Sequence, residues 1–134
     1  MLRQTGPPKV SIMAAARHSI WILLVDGDFT VQHLRALILR MKGYYVDTAA
    51  SLDDAREKLS QRTYTLVIVD VGHYAELGVE FCEEIKRGNP HQKLLLQAED
   101  RAFPLKHDCP DDVIPKQEGP HTFVKAVERL LQAA

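Results

Sequence analysis

The chain is poor in the features that would settle its class at once. It has 2 cysteines in 134 residues, which cannot define a disulfide framework, and nothing else points to an oxidising compartment. Cys82 falls in a helical pattern and reads as a small buried group. An excess of one charge is also missing. With 17 basic and 18 acidic residues the formal charge is −1, so no global electrostatic case exists for binding nucleic acid. Arg35, Arg40 and Lys42, and Lys86 with Arg87, have the spacing of solvated helix faces. No apolar run has the length of a membrane span, so neither membrane nor nucleic acid is an expected partner. The first residues have no signal-peptide core, being cut by Gly6, Pro7 and Pro8. Residues 1–18 are therefore expected to form a flexible extension, and the protein to be cytoplasmic. No GxGxxG or GxxxxGK follows the first apolar run, which disfavours dinucleotide and P-loop sites.

What is present is a chain of ordinary composition, 46% hydrophobic and 26% charged. Residues 19–134 are expected to form one domain, large enough to bury about two-thirds of its unfolded surface. Its organising stretch is Ile20–Asp28, IWILLVDGD, an apolar run that stops at Asp26 and Asp28 and reads as a strand buried on both faces. TLVIVD, ending at Asp70, repeats the pattern. KLLLQ ends at Gln97, and the short DVIPK ends at Lys116. YYVDTA, residues 44–49, is a further strand, expected at an edge, as is DVIPK because of Pro115.

Helical patterns separate the strands. Thr30–Lys42 places Val31, Leu34, Leu37, Ile38 and Met41 on one stripe, with Asp28 or Thr30 as cap and Gly43 as terminator. Ser51 caps a helix over residues 51–60, whose Leu52, Ala55 and Leu59 face inward. A third helix starts at Leu77 or Gly78 and ends before Gly88-Asn89-Pro90, and a last one spans His121–Gln132 with Phe123, Val127, Leu130 and Leu131 as its apolar stripe. Between Ala98 and Pro110 two prolines confine any helix to a turn or two. The alternation predicts an α/β doubly wound sheet of five parallel strands, the first and third central.

In such a sheet all strand carboxyl ends lie along one edge, where open α/β sheets place their sites. Asp26, Asp28 and Asp70, the amide of Gln97 and the amine of Lys116 converge there. Neighbouring buried carboxylates are costly unless a cation or hydrogen bonds offset their repulsion. An aspartate nucleophile, a hard cation and a lysine are also what phosphoryl transfer needs. Any single strand-end aspartate is as readily a helix cap or turn former. Two strands ending in acids and a last one ending in lysine favour chemistry over that plain role. His73, near Asp70, reads as a solvated loop histidine.

From residue 19 onward the pattern resembles the receiver domain of bacterial response regulators, the CheY-like family with a flavodoxin-like sheet of order 2-1-3-4-5. Asp70 in TLVIVDVGHYAELGVEF matches the phosphoacceptor, Gly78 the glycine eight residues later, Asp26 the first of an acidic pair, and Lys116 the phosphoryl-contacting lysine. Gln97 stands where the family has a serine or threonine that contacts the phosphoryl group. The resemblance implies magnesium held by Asp26, Asp70 and the Gly72 backbone carbonyl. It also implies a histidine kinase or phosphotransfer protein as donor, and an output protein docking on the fourth helix region, the last strand and the last helix. On that face Phe103, Leu105, Val113 and Gln117 are the candidate contacts, whereas Phe123 reads as core. The fourth helix is expected to be shortened or irregular.

Departures from the family pattern carry their own expectations. Gly27 replaces the second acid, with Asp28 one position further on as the substitute ligand, so the magnesium site is expected to be weakened or absent. Gln97 fills space a phosphoryl group needs. Tyr74 and Gln117 replace family prolines, and Val113 replaces the aromatic that reports the switched state. Phosphorylation of Asp70 is therefore expected to be impaired. The alternative is a pseudo-receiver that docks its partner without phosphorylation, and neither is an enzyme beyond self-phosphorylation or dephosphorylation of Asp70. The run Asp26-Gly27-Asp28-Phe29-Thr30 also resembles the DxDxT motif of haloacid-dehalogenase-type phosphatases. That reading leaves Asp70 without a role, lacks a cap insert, and crowds Lys106 against Asp111 and Asp112.

Overall fold

The alternation of strands buried on both faces with one-sided helices builds a parallel sheet with a helical layer on each face. The computed structural model describes residues 19–72, 74–99 and 109–132. The strands are β1 (Trp21–Val25), β2 (Tyr45–Ala49), β3 (Leu66–Gly72), β4 (Lys93–Ala98) and β5 (Asp112–Pro115), all parallel and ordered β2-β1-β3-β4-β5. The described helices are α1 (Phe29–Met41), α2 (Leu52–Gln61), α3 (Ala75–Gly88) and α4 (Pro120–Gln132). The third helix thus begins two residues before its predicted start, and β3 runs on through Gly72, which was expected in the following loop. The expected extension, His73, Phe103, Leu105 and most of the proline-cut segment lie outside the described residues. None of the described helices is long and apolar enough to cross a membrane.

Strand alternation divides the core in two. Ile22, Leu24, Leu66, Ile68, Leu95 and Ile114 face Ala36 and Leu39 of α1 and Phe123, Ala126 and Val127 of α4. Leu23, Val25, Val67, Val69, Leu94 and Leu96 face Ala55 of α2 and Phe81 and Cys82 of α3. Asp26, Asp70, Gln97 and Lys116 continue the first set's alternation, so all four project on the side covered by α1 and α4.

Two sequence expectations are overturned here. The stripe assigned to α1 does not face the sheet: Leu34, Leu37 and Met41 are exposed, and Gln32, Ala36 and Leu39 are buried instead. The helix is rotated so that Gln32 can donate from Nε2 to the carbonyls of Ala49 (2.8 Å) and Asp26 (3.1 Å), which end the β1–β2 ladder. Two backbone carbonyls thereby gain a donor that no leucine could supply. Secondly, Cys82 and Cys109 are not separate buried groups but a disulfide, tying α3 to the residues before β5.

Helix ends follow their caps. Asp28 Oδ1 accepts from the Val31 N–H, and Ser51 Oγ from that of Asp54. Gly43, with φ of 99°, closes α1 in the left-handed region. Gly78 allows the closest approach of helix and sheet, because a Cβ there would collide with Val71 and press on Leu96.

Candidate functional site

The acids that end β1 and β3 meet beside a cleft, with a cation already between them. Asp26 is 4% exposed, and its Oδ1 accepts from the Asp28 N–H at 2.8 Å. The Asp70 side chain is 3% exposed, with Oδ1 accepting from the Gly72 N–H at 2.9 Å. Between the two carboxylates lies the guanidinium of Arg35. Its Nη1 stands 3.5 Å from Asp26 Oδ2 and 3.4 Å from Asp70 Oδ2, while Nη2 donates to the Lys116 carbonyl at 3.1 Å. Lys116 Nζ approaches the same Asp70 oxygen at 3.2 Å. Both oxygens of Asp70 are thus engaged.

Arg35 was not foreseen as part of the site; it had been assigned to a solvated helix face. It lies one turn from Gln32 and Leu39 on the buried side of α1, and its guanidinium also covers the Phe123 ring at 5.6 Å. The signal was present in the 3.6-residue spacing that puts Gln32, Arg35, Ala36 and Leu39 on one face. It was masked by a more hydrophobic stripe on the other face.

Charge and burial act together on these groups. Burial pushes the Asp26 carboxyl above its ordinary range, and Asp70 adds to this; the Asp28 N–H, Lys116 and Arg35 pull the other way without cancelling it. For Lys116, burial pulls the amine down, but the hydrogen bond to Asp70 and the charges of Asp70, Asp26 and Glu99 outweigh it and hold the amine above its usual value.

The remaining candidates are placed as follows. Gln97 is directly across from Asp70 in the β3–β4 register, 1% exposed, and its buried Oε1 has no hydrogen-bond partner among the described residues. Asp28 is exposed and caps α1 through Oδ1. The Gly72 carbonyl accepts the Glu99 N–H at 3.0 Å as part of the β3–β4 pairing. Val113 is partly buried against the α2–α3 side of the core, and Gln117 donates to Glu99 Oε2 at 2.6 Å. Beside the acids a cleft of about 160 Å³ runs past Gly27 to Leu52, Tyr74 and Leu77, with both Asp26 and Asp70 in its wall.

A magnesium ion takes oxygen ligands in an octahedral shell. Asp26 and Asp70 are the only carboxylates turned into this site among the described residues, and both face Arg35. No group of three or more His, Cys, Asp or Glu side chains that could hold a metal occurs among the described residues. The donor set here does not fit the ion that the sequence resemblance implies.

Comparison with known proteins agrees with the geometry. The profile of the response regulator receiver domain matches residues 22–128. The transcriptional regulatory protein CpxR homolog of Haemophilus influenzae is 29% identical over 115 residues, covering 83% of this chain and 50% of that protein. Transcriptional regulatory protein ResD of Bacillus subtilis is 28% identical over 116 residues, 84% of this chain and 48% of ResD. The chain thus spans about half the length of these curated relatives. Among solved structures, response regulator TrrA of Thermotoga maritima, crystallised with Mg2+ and BeF, superposes with a TM-score of 0.73 at 25% identity. That match covers 83% of this chain and 98% of TrrA.

Proposed function

The chain belongs to the response regulator receiver domain family, and from that membership we propose that Asp70 is its phosphoacceptor position and that transfer to Asp70 is impaired. The observation that carries this reading is the burial of the Asp70 carboxylate, 3% exposed with both oxygens engaged by Gly72, Arg35 and Lys116. A nucleophile must present a lone pair in line with the phosphorus. Here Asp70 Oδ2 must first leave Arg35 or Lys116.

When it does, Asp70 attacks the phosphorus of a phosphohistidine on a histidine kinase or phosphotransfer protein. A P–O bond forms, the P–N bond breaks, and the imidazole departs with the electron pair. Lys116 Nζ neutralises the incoming oxygens, and Gln97 is the amide opposite the acceptor. Charge neutralisation at the acceptor falls to Arg35 and Lys116 in this chain. The domain acts on no metabolite, its chemistry being confined to gain and loss of a phosphoryl group at Asp70. A downstream protein docks on the face formed by β5, α4 and the segment before β5, and Val113 and Gln117 border that face.

A second reading, favoured by the same Arg35 contacts, is a docking domain that signals without phosphorylation. Intact mass after incubation with acetyl phosphate or phosphoramidate separates the two. A gain of one phosphoryl group (about 80 Da), slow in the native chain and lost in Asp70→Asn, supports the acceptor reading. No gain at any time selects the docking reading.

A further inference from the structure

The four groups in direct ion-pair contact at the site carry formal charges that sum to zero. Asp26 and Asp70 contribute two negative charges; Arg35, paired with both, and Lys116, paired with Asp70, contribute two positive ones, and Glu99 acts on Lys116 from further out. In the low-dielectric environment created by their burial, adding a divalent ion would leave an uncompensated double positive charge. The other ligands such an ion would recruit already hold a hydrogen bond or are missing. Asp28 caps α1, the Gly72 carbonyl pairs with Glu99, and position 27 has no side chain.

We propose that Arg35 is the resident cation of this site, standing in for a divalent metal between Asp26 and Asp70, so that the domain neither binds nor requires magnesium. This deepens the reading of Asp70 as an acceptor position and rests on it for its meaning, though not for its test. Arg35 is fixed from several sides: by the two carboxylates, by the Lys116 carbonyl, and by the Phe123 ring beneath it. A guanidinium is charged at every working pH and its planar fork can serve two acceptors at once, which suits a permanent counter-ion. Unlike a bound metal it cannot dissociate.

The absence of a carboxylate at position 27 is not forced by the fold. A Cβ there would meet only the Ala50 carbonyl, at 3.6 Å, an ordinary contact, and the position faces the open cleft. The metal site can therefore be rebuilt. Removing the arginine and adding the acid, in Gly27→Asp/Arg35→Gln, exchanges one positive charge for one negative and leaves three carboxylates facing a single amine.

The test is thermal unfolding and calorimetric titration with magnesium and with manganese, without any phosphoryl donor. The native chain is expected to show the same midpoint in chelator and in millimolar metal. The double variant is expected to bind, raising its midpoint by about 5 °C at a metal concentration some tenfold above its dissociation constant. Saturable binding by the native chain overturns the proposal, and that measurement stands even where the variant folds poorly. Equal indifference to metal in the native chain and a folded double variant, checked by circular dichroism, also overturns it. Because no step is read through phosphorylation, failure of the acceptor reading in the mass assay leaves these outcomes unchanged.

Discussion

Helices α1 and α4 cover the same face of the sheet, and they do so in opposite ways. In α4 the apolar stripe faces inward as its spacing predicts, with Phe123, Val127 and Leu130 buried on Ile22, Ile68 and their neighbours. In α1 the richest stripe faces outward, leaving Leu34 54%, Leu37 46% and Met41 78% exposed, while Gln32 and Arg35 turn in. The difference lies in what each helix meets at the sheet. Where a helix meets strand middles, apolar area decides its rotation. Where it meets strand ends, with their free carbonyls and ionised acids, hydrogen-bond donors decide it, because an unpartnered buried charge costs more than a few exposed leucines.

Substitutions can press on this contrast, and we set them in order of effect. Phe123→Ala should cost about 3–5 kcal/mol in urea unfolding, since it opens a cavity in the α1–α4 layer and takes the ring from under Arg35. Gln32→Leu should cost about 1–3 kcal/mol by the same measurement despite raising hydrophobicity, because the Asp26 carbonyl loses the Gln32 amide and the Ala49 carbonyl keeps only the Asp26 N–H. A stabilised Gln32→Leu protein would break the comparison. Leu37→Ser, on the outward stripe, should change stability by no more than about 0.5 kcal/mol; a loss as large as that of Phe123→Ala would mean that the stripe is covered in solution.

The finest effect is one of slope. The folded state holds the Asp26 proton more tightly than an unfolded chain, whose carboxyl has the ordinary value near 3.8. The stability this group contributes is therefore present below that pH and is lost as pH rises through the raised folded value. Asp26→Asn should remove that decline, so that the ratio of variant to native stability increases across the acidic range in pH-stepped urea titrations. A constant ratio would show that Asp26 titrates normally.

The strands could be read from the sequence because burial on both faces makes them continuous apolar runs, and their order followed from the family that Asp70, Gly78 and Lys116 point to. Strand-end acids and lysine converge for the same topological reason. Arg35 and the rotation of α1 were not readable by counting hydrophobic residues, since α1 carries apolar groups on both sides and periodicity simply chose the denser one. Its true orientation depends on which backbone groups at the ends of β1 and β2 need donors, which is a tertiary fact. The Cys82–Cys109 bond was hidden likewise, because 27 residues separate partners that only the fold brings together.

The missing side chain at Gly78 has a mechanical consequence. Val71 follows Asp70 directly, and it presses into the surface of α3 at a point with no room for even a methyl group. Strand and helix therefore interlock there: Val71, next to Asp70, sits against α3 where only a glycine leaves it room.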